Sequence, residues 1–117
     1  MASERAVAGV FFALGDGTRL SVVKKLGAAG ALSATVLADG AKVTRQAIVK
    51  HLQVLERAGL VTHARRGRDV LYALETRGFE DARSFIDRIS VLWDRRIGRL
   101  RALVEEPEGS SRRREAR

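Results

Sequence analysis

A chain of 117 residues, 45% of them hydrophobic, is long enough for one domain with a core of its own. Its 22 Lys and Arg against 14 Asp and Glu give a formal net charge of +8. That excess points to a polyanionic partner, nucleic acid or an anionic membrane surface, against the plainer reading of a merely soluble basic protein. The absence of cysteine excludes disulfides, thiolate metal sites and thiol redox switches.

In chain order, Ala6 to Leu14 reads as a short helix, with Val7, Val10, Phe11 and Leu14 on one stripe. The same apolar run invites comparison with a signal peptide. Glu4 beside Arg5 and the lack of a small-x-small cleavage site argue against it, so a cytoplasmic location is expected. No run approaches the ~18 apolar residues that a membrane-spanning helix needs, so no membrane partner is expected. Gly15-Asp16-Gly17 breaks the first helix, and Asp16 is a good N-cap for a second, Thr18 to about Leu26, ended by Gly27 and Gly30. Leu32 and Ser33 introduce a third helix to about Ala38, with Ser33 as its cap and Gly40 closing it. Thr44 caps a fourth, Arg45 to about Ala58, which Gly59 stops. Leu60 to Ala64 and Asp69 to Leu74 are β-type runs joined by Arg65-Arg66-Gly67-Arg68, a hairpin turn with Gly67 where positive φ is needed. A last helix begins near Phe79 and keeps its apolar rhythm until Pro107. Residues 108–117 are polar and carry Arg112-Arg113-Arg114, the composition of a disordered basic tail.

The expected fold is therefore mainly α with a small β-hairpin, in the order α-α-α-α-β-β-α. One domain spans 1–106 and a basic tail 107–117. A short helix, a tight turn and a capped second helix make a helix-turn-helix, and the basic hairpin after it makes a wing.

The fourth helix has two faces. Successive residues turn by about 100°, so with Arg45 at zero, Val49, Gln53, Gln46 and Lys50 fall at roughly 40°, 80°, 100° and 140°. Ile48, Leu55 and Leu52 fall at roughly 300°, 280° and 340°, with His51 on their flank at roughly 240°. Arg and Lys can donate to guanine O6 and N7, Gln can pair with adenine, and a small apolar side chain such as Val49 can meet a thymine methyl. An ordinary solvated face has the same composition, and it is the basic wing and the net charge that favour DNA. Arg45, Gln46, Val49 and Lys50 are the candidate base readers, with Gln53 on the same face as a further candidate DNA contact. Thr44 and the wing residues Arg65, Arg66 and Arg68 are the candidate phosphate contacts. A charged turn that blunts an edge strand is the alternative for the wing. His51 lacks the companions of a metal site, since His63 is the only other histidine, and it lacks a nucleophile or paired carboxylate. It reads as a half-buried residue needing one hydrogen-bond partner, with a phosphate contact as the other option.

The stretches "ALGDGTRLSVVKKL", "VTRQAIVKHLQVLERAGLV" and "RRGRDVLYAL" together resemble the arsenic-repressor (ArsR) family of winged-helix transcription regulators. The resemblance covers roughly Val10 to Leu74, and the ending "LWDRRIGRLRALV" fits it as well. It implies a homodimer built on the first and last helices, with Val7, Val10, Phe11, Leu14, Ile86, Ile89, Trp93, Ile97 and Leu100 at the interface. It also implies that helix 44–58 reads the major groove and that 65–69 forms the wing. Relatives that sense soft metals use cysteines, and relatives with a metal site on the last helix use histidines with carboxylates. Here the third helix reads "SATVLADG", and the last has Asp81, Asp87 and Asp94 but no histidine. The resemblance is thus to a metal-free branch.

The sequence leads to a homodimeric DNA-binding repressor on an inverted-repeat operator, with no enzymatic activity, cofactor or metal. A small apolar inducer of unknown identity could lie between the long helices, where Phe and Trp residues gather, although plain dimer core is the simpler use of that region. The competing reading is a winged helix whose basic face docks an acidic protein.

Overall fold

The computed structural model describes residues 2–104; the expected helix stop at Pro107 and the tail beyond it lie outside the described residues. The elements are α1 (Glu4–Leu14), α2 (Gly17–Ala29), β1 (Ala31–Ser33), α3 (Ala34–Ala38), α4 (Arg45–Arg57), β2 (Val61–Arg66), β3 (Asp69–Leu74) and α5 (Thr76–Val104). The chain forms two compact units that meet between Arg83 and Ser84, so α5 belongs to both.

Local chemistry sets most of these boundaries. Ser3, Asp16, Ser33 and Thr44 each sit in extended backbone, and each accepts a hydrogen bond from the backbone N–H three residues on. Gly30 and Gly59, at φ of 95° and 77°, follow α2 and α4. After α4 the Leu60 N–H returns to the Leu55 carbonyl at 3.0 Å, the wide closure that left-handed glycine permits. Four boundaries move by two residues or more. The first helix begins at Glu4 rather than Ala6, and β2 runs on to Arg66, taking Arg65 and Arg66 out of the expected turn. The second helix runs through Gly27 to Ala29, because Leu26 and its neighbours pack on the core and outweigh one glycine's propensity. The last helix begins at Thr76 rather than near Phe79.

The sheet also corrects the two-stranded expectation. It has three antiparallel strands in the order β1-β3-β2. Leu32 and Ser33 belong to an added edge strand, pairing Ala31 with Ala73, Leu32 with Tyr72 and Ser33 with Leu71. In the hairpin Val61 pairs with Leu74 and Arg66 with Asp69, leaving Gly67-Arg68 as a two-residue turn with Gly67 at φ 65°.

The core of the first unit gathers Val10 and Ala13 from α1, Val22 and Leu26 from α2, Leu37 from α3, Ile48, Leu52 and Leu55 from α4, Leu60, Val61, and Ala82 from the start of α5. Burial of each large aliphatic side chain contributes about 1.5–3 kcal/mol. The apolar face inferred for α4 is the buried one, so its opposite face is held outward.

At the start of α5 the backbone of Gly78 lies against the turn after α4. Its N–H donates to the Gly59 carbonyl at 2.8 Å. A Cβ there would stand 2.5 Å from the Ala58 oxygen and 2.9 Å from the Gly59 oxygen. Helix propensity alone would favour alanine at this position by about 1 kcal/mol. We expect Gly78→Ala instead to lower stability by about 1–3 kcal/mol, seen as a lower urea midpoint at unchanged m-value. A raised midpoint would show that the close approach is absent.

Candidate nucleic-acid interface

The first unit places α4 beside α3 on one side and the hairpin on the other. Thr44 Oγ1 accepts from the Ala47 N–H at 3.0 Å, so the cap orders the first turn of α4 where Arg45 and Gln46 project. Arg45, Gln46, Lys50 and Gln53 are all exposed along one side of the helix. Val49 is not a fully presented side chain; it is half-buried and packs on the core. A groove of about 580 Å³ runs between α3, α4 and the wing, lined among others by Thr35, Val36, Arg45, Val49, Arg68 and Tyr72.

Arg65, Arg66 and Arg68 are exposed, but the hairpin separates them. Adjacent residues of a strand point to opposite faces. His63 reaches Glu56 on α4, its Nδ1–H donating to the carboxylate at 2.8 Å, so the face carrying His63 and Arg65 is the one turned toward α4. Arg66 lies on the reverse face, bordering a hollow with Thr62, Ala64 and Leu71. Arg68, in the turn, shares the groove with Arg45.

Arg19, which sequence reasoning did not single out, ties three helices together. Its Nε donates to the Ala13 carbonyl at 2.7 Å and its Nη2 to the Phe12 carbonyl at 3.3 Å, at the end of α1. Its Nη1 donates to His51 Nδ1 on α4 at 3.1 Å. Since guanidinium is only a donor, His51 Nδ1 must accept, and its proton sits on Nε2. The guanidinium carbon also lies 5.4 Å from the Phe12 ring centroid, a cation–π distance. His51 therefore has its one partner from the neighbouring helix, as a half-buried structural residue would. Asp16 completes the cluster, 3.9 Å from His51 Nδ1. The only advance signal of this knot was the Asp16–Arg19 spacing within the Gly-Asp-Gly-Thr-Arg run.

The residues expected at a dimer interface divide in the same way. Val7 and Val10 are buried within the chain itself and Leu14 is half-buried, so on α1 it is Phe11 and Phe12 that offer apolar surface, Phe12 with 70% of its area exposed. In the second unit Ile86, Ile89, Trp93 and Leu100 are exposed, with Ile97 intermediate. Among the described residues no three of His, Asp and Glu converge closely enough to share a metal ion, and no single helix is long and apolar enough to cross a membrane.

A capped helix with an exposed Arg-Gln-Lys-Gln side, set between a short helix and a basic hairpin, defines a winged helix-turn-helix DNA-binding protein. A helix-turn-helix domain family matches residues 14–64. The chain is 36% identical over 93 residues to the HTH-type transcriptional regulator Rv2034 of Mycobacterium tuberculosis, covering 80% of this chain and 83% of that protein. It superposes on an ArsR-like transcriptional regulator from Rhodococcus with a TM-score of 0.76 at 36% identity, over 87% of this chain and 95% of the other. The homodimeric winged helix-turn-helix domain of a possible ArsR-family regulator from Mycobacterium bovis matches at a TM-score of 0.57 and 25% identity, over 82% and 91% of the two chains. The chain belongs to the ArsR-like family of winged helix-turn-helix transcriptional regulators.

The Asp16 carboxylate is held below its ordinary value of 3.8, chiefly by the Arg19 backbone N–H, with the positive charge of Arg19 helping and desolvation opposing. A depressed folded value means stability that is complete above the unfolded value and fades as pH falls through 3.8 to the lower folded value. The stability gap between wild type and Asp16→Asn, from urea midpoints, should be constant from neutral pH to about pH 5 and narrow on further acidification. A gap that widens toward acid would contradict the assignment.

Proposed function

We propose that this regulator is a cytoplasmic homodimeric repressor that binds an inverted-repeat operator and is not a thiol-based metal sensor. The observation that carries the DNA-reading part is the exposed side of α4, with Arg45, Gln46, Lys50 and Gln53 on a helix whose other side is locked in the core. Arg45 and Gln46 in the first turn, then Lys50, read base edges in the major groove, and Val49 offers a thymine methyl a partly covered contact. Arg65 and Arg68 hold phosphates on the α4 side of the hairpin, Arg66 reaches the backbone from its reverse face, and the Thr44 hydroxyl, whose oxygen is engaged in capping, has its hydrogen left for a phosphate.

The homodimer rests on the second unit. Ile86, Ile89, Trp93, Ile97, Leu100 and Val104 fall within about 80° of one another around α5, a stripe too continuous for a solvated helix. The homodimeric state of the Mycobacterium bovis domain supports the same reading. Two-fold symmetry in the protein implies two half-sites about one helical turn, or a multiple, apart. The absence of cysteine removes thiolate sensing from the 117 residues.

Mobility-shift titration on duplexes selected from a randomised pool tests the interface. Lys50→Ala should lower discrimination at its base pair by about 1–3 kcal/mol, while Arg68→Ala should weaken all sequences alike and reduce the salt slope by about one. Affinity independent of salt and sequence would favour the docking of an acidic protein instead. For the dimer, Trp93→Glu, at a residue 59% exposed in the single chain, should convert a dimer to a folded monomer in sedimentation velocity. A variant that sediments as the wild type does would remove this stripe from the interface.

A further inference from the structure

The groove between α3, α4 and the wing contains a contact that the base-reading scheme leaves unused. Thr35 Oγ1, on α3, accepts a hydrogen bond from Arg45 Nε at 3.1 Å, and both side chains are exposed at the groove wall. Arg45 is the first residue of α4, where the groove opens and where a docked duplex would present its base edges. A free arginine there would sample many rotamers. With Nε engaged, the stem is fixed and the two terminal nitrogens remain as a planar pair of donors. That pair matches O6 and N7 of guanine, which lie side by side in the major groove.

We propose that Thr35 is a positioning residue: it fixes Arg45 for end-on bidentate recognition of one guanine in each half-site, without touching a base itself. The inference rests on Arg45 reading a base, and it adds the base and the residue that sets the geometry. Neighbouring side chains suit the assignment. Val36 and Val49 line the same groove and offer the guanidinium no acceptor, the Asp69 carboxylate in that lining lies beyond ion-pair distance of Arg45, and Ser33 holds α3 in place through its cap on the Val36 N–H at 3.2 Å. Holding one rotamer-rich side chain in its bound conformation corresponds to a gain of roughly two- to tenfold in discrimination.

The test uses the full chain and duplexes selected from a randomised pool. Arg45→Ala should erase a preference for guanine at one base pair of each half-site. Thr35→Val, which keeps the shape and removes the acceptor, should reduce that same preference about two- to tenfold while leaving non-specific affinity, salt slope and thermal midpoint unchanged. Thr35→Ser, which restores the hydroxyl, should retain the preference. In an Arg45→Ala background Thr35→Val should have no further effect. Thr35→Ala repeats the measurement without a β-branch should the valine variant fold poorly. Three results would overturn the positioning role alone: loss at a different base pair, equal weakening of all duplexes, or a Thr35 effect that persists without Arg45. If Arg45→Ala itself changes no base preference, the base-reading role of Arg45 falls and the positioning role with it.

Discussion

A guanidinium cannot lose its proton, so once it is taken partly out of water it must find acceptors, and Arg19 finds them in three helices. It takes two carbonyls from the end of α1, sits in the first turn of α2, and donates to His51 on α4. Those carbonyls belong to the last turn of a helix, where the Phe12 carbonyl also accepts from the Gly15 N–H at 3.1 Å. Arg19 therefore gives the Ala13 carbonyl a donor and the Phe12 carbonyl a second one, and the same group aligns α4. The Asp16 cap works in the same place, because its carboxylate accepts the Arg19 N–H and stands close to His51. A break in the chain at Gly15-Asp16-Gly17 thus becomes the point at which three helices are registered.

Alignment of α4 by Arg19 separates the two faces of that helix. Ile48, Leu52 and Leu55 fill the core and His51 is drawn toward Arg19, so Gln46, Lys50 and Gln53 have only solvent or a ligand to meet. The sheet then fixes the wing relative to that face, through a hairpin whose inner side meets α4 by the His63–Glu56 pair, with the His63 ring also set against Tyr72 across the hairpin. The DNA-binding class of the protein resides in this arrangement. On our reading the second unit adds the two-fold symmetry that turns one short helix into an operator reader.

Much of this was legible because it is local. Caps at Asp16, Ser33 and Thr44, the left-handed glycines at 59 and 67, and the two faces of α4 all arise from residues within a turn of one another. The features that escaped are those made by distant partners. Strand β1 is three residues long and exists because β3 pairs with it, so in sequence Leu32 looks like the approach to a helix. Arg19, Thr35 and Gly78 act across elements; the Asp16–Arg19 spacing alone hints at the first, and nothing adjacent in the sequence marks the other two. Helical angle alone puts Val49 on the polar side, yet α4 lies deep enough for its Cβ branches to reach the core. Val7 and Val10 carry the same stripe as Leu14, and a stripe does not say whether it meets its own chain or another. The split between Arg65 and Arg66 could have been read from strand alternation, since they lie one residue apart.

Guanine methylation interference on a selected duplex probes the orientation of α4 most directly, because N7 lies on the floor of the major groove and dimethyl sulfate modifies it there. If α4 enters that groove through Arg45 and Lys50, methylation should block binding at guanines in two symmetric clusters about one helical turn, or a multiple, apart. Interference confined to minor-groove adenine positions, or absent from a duplex that is still bound selectively, would contradict the placement of α4.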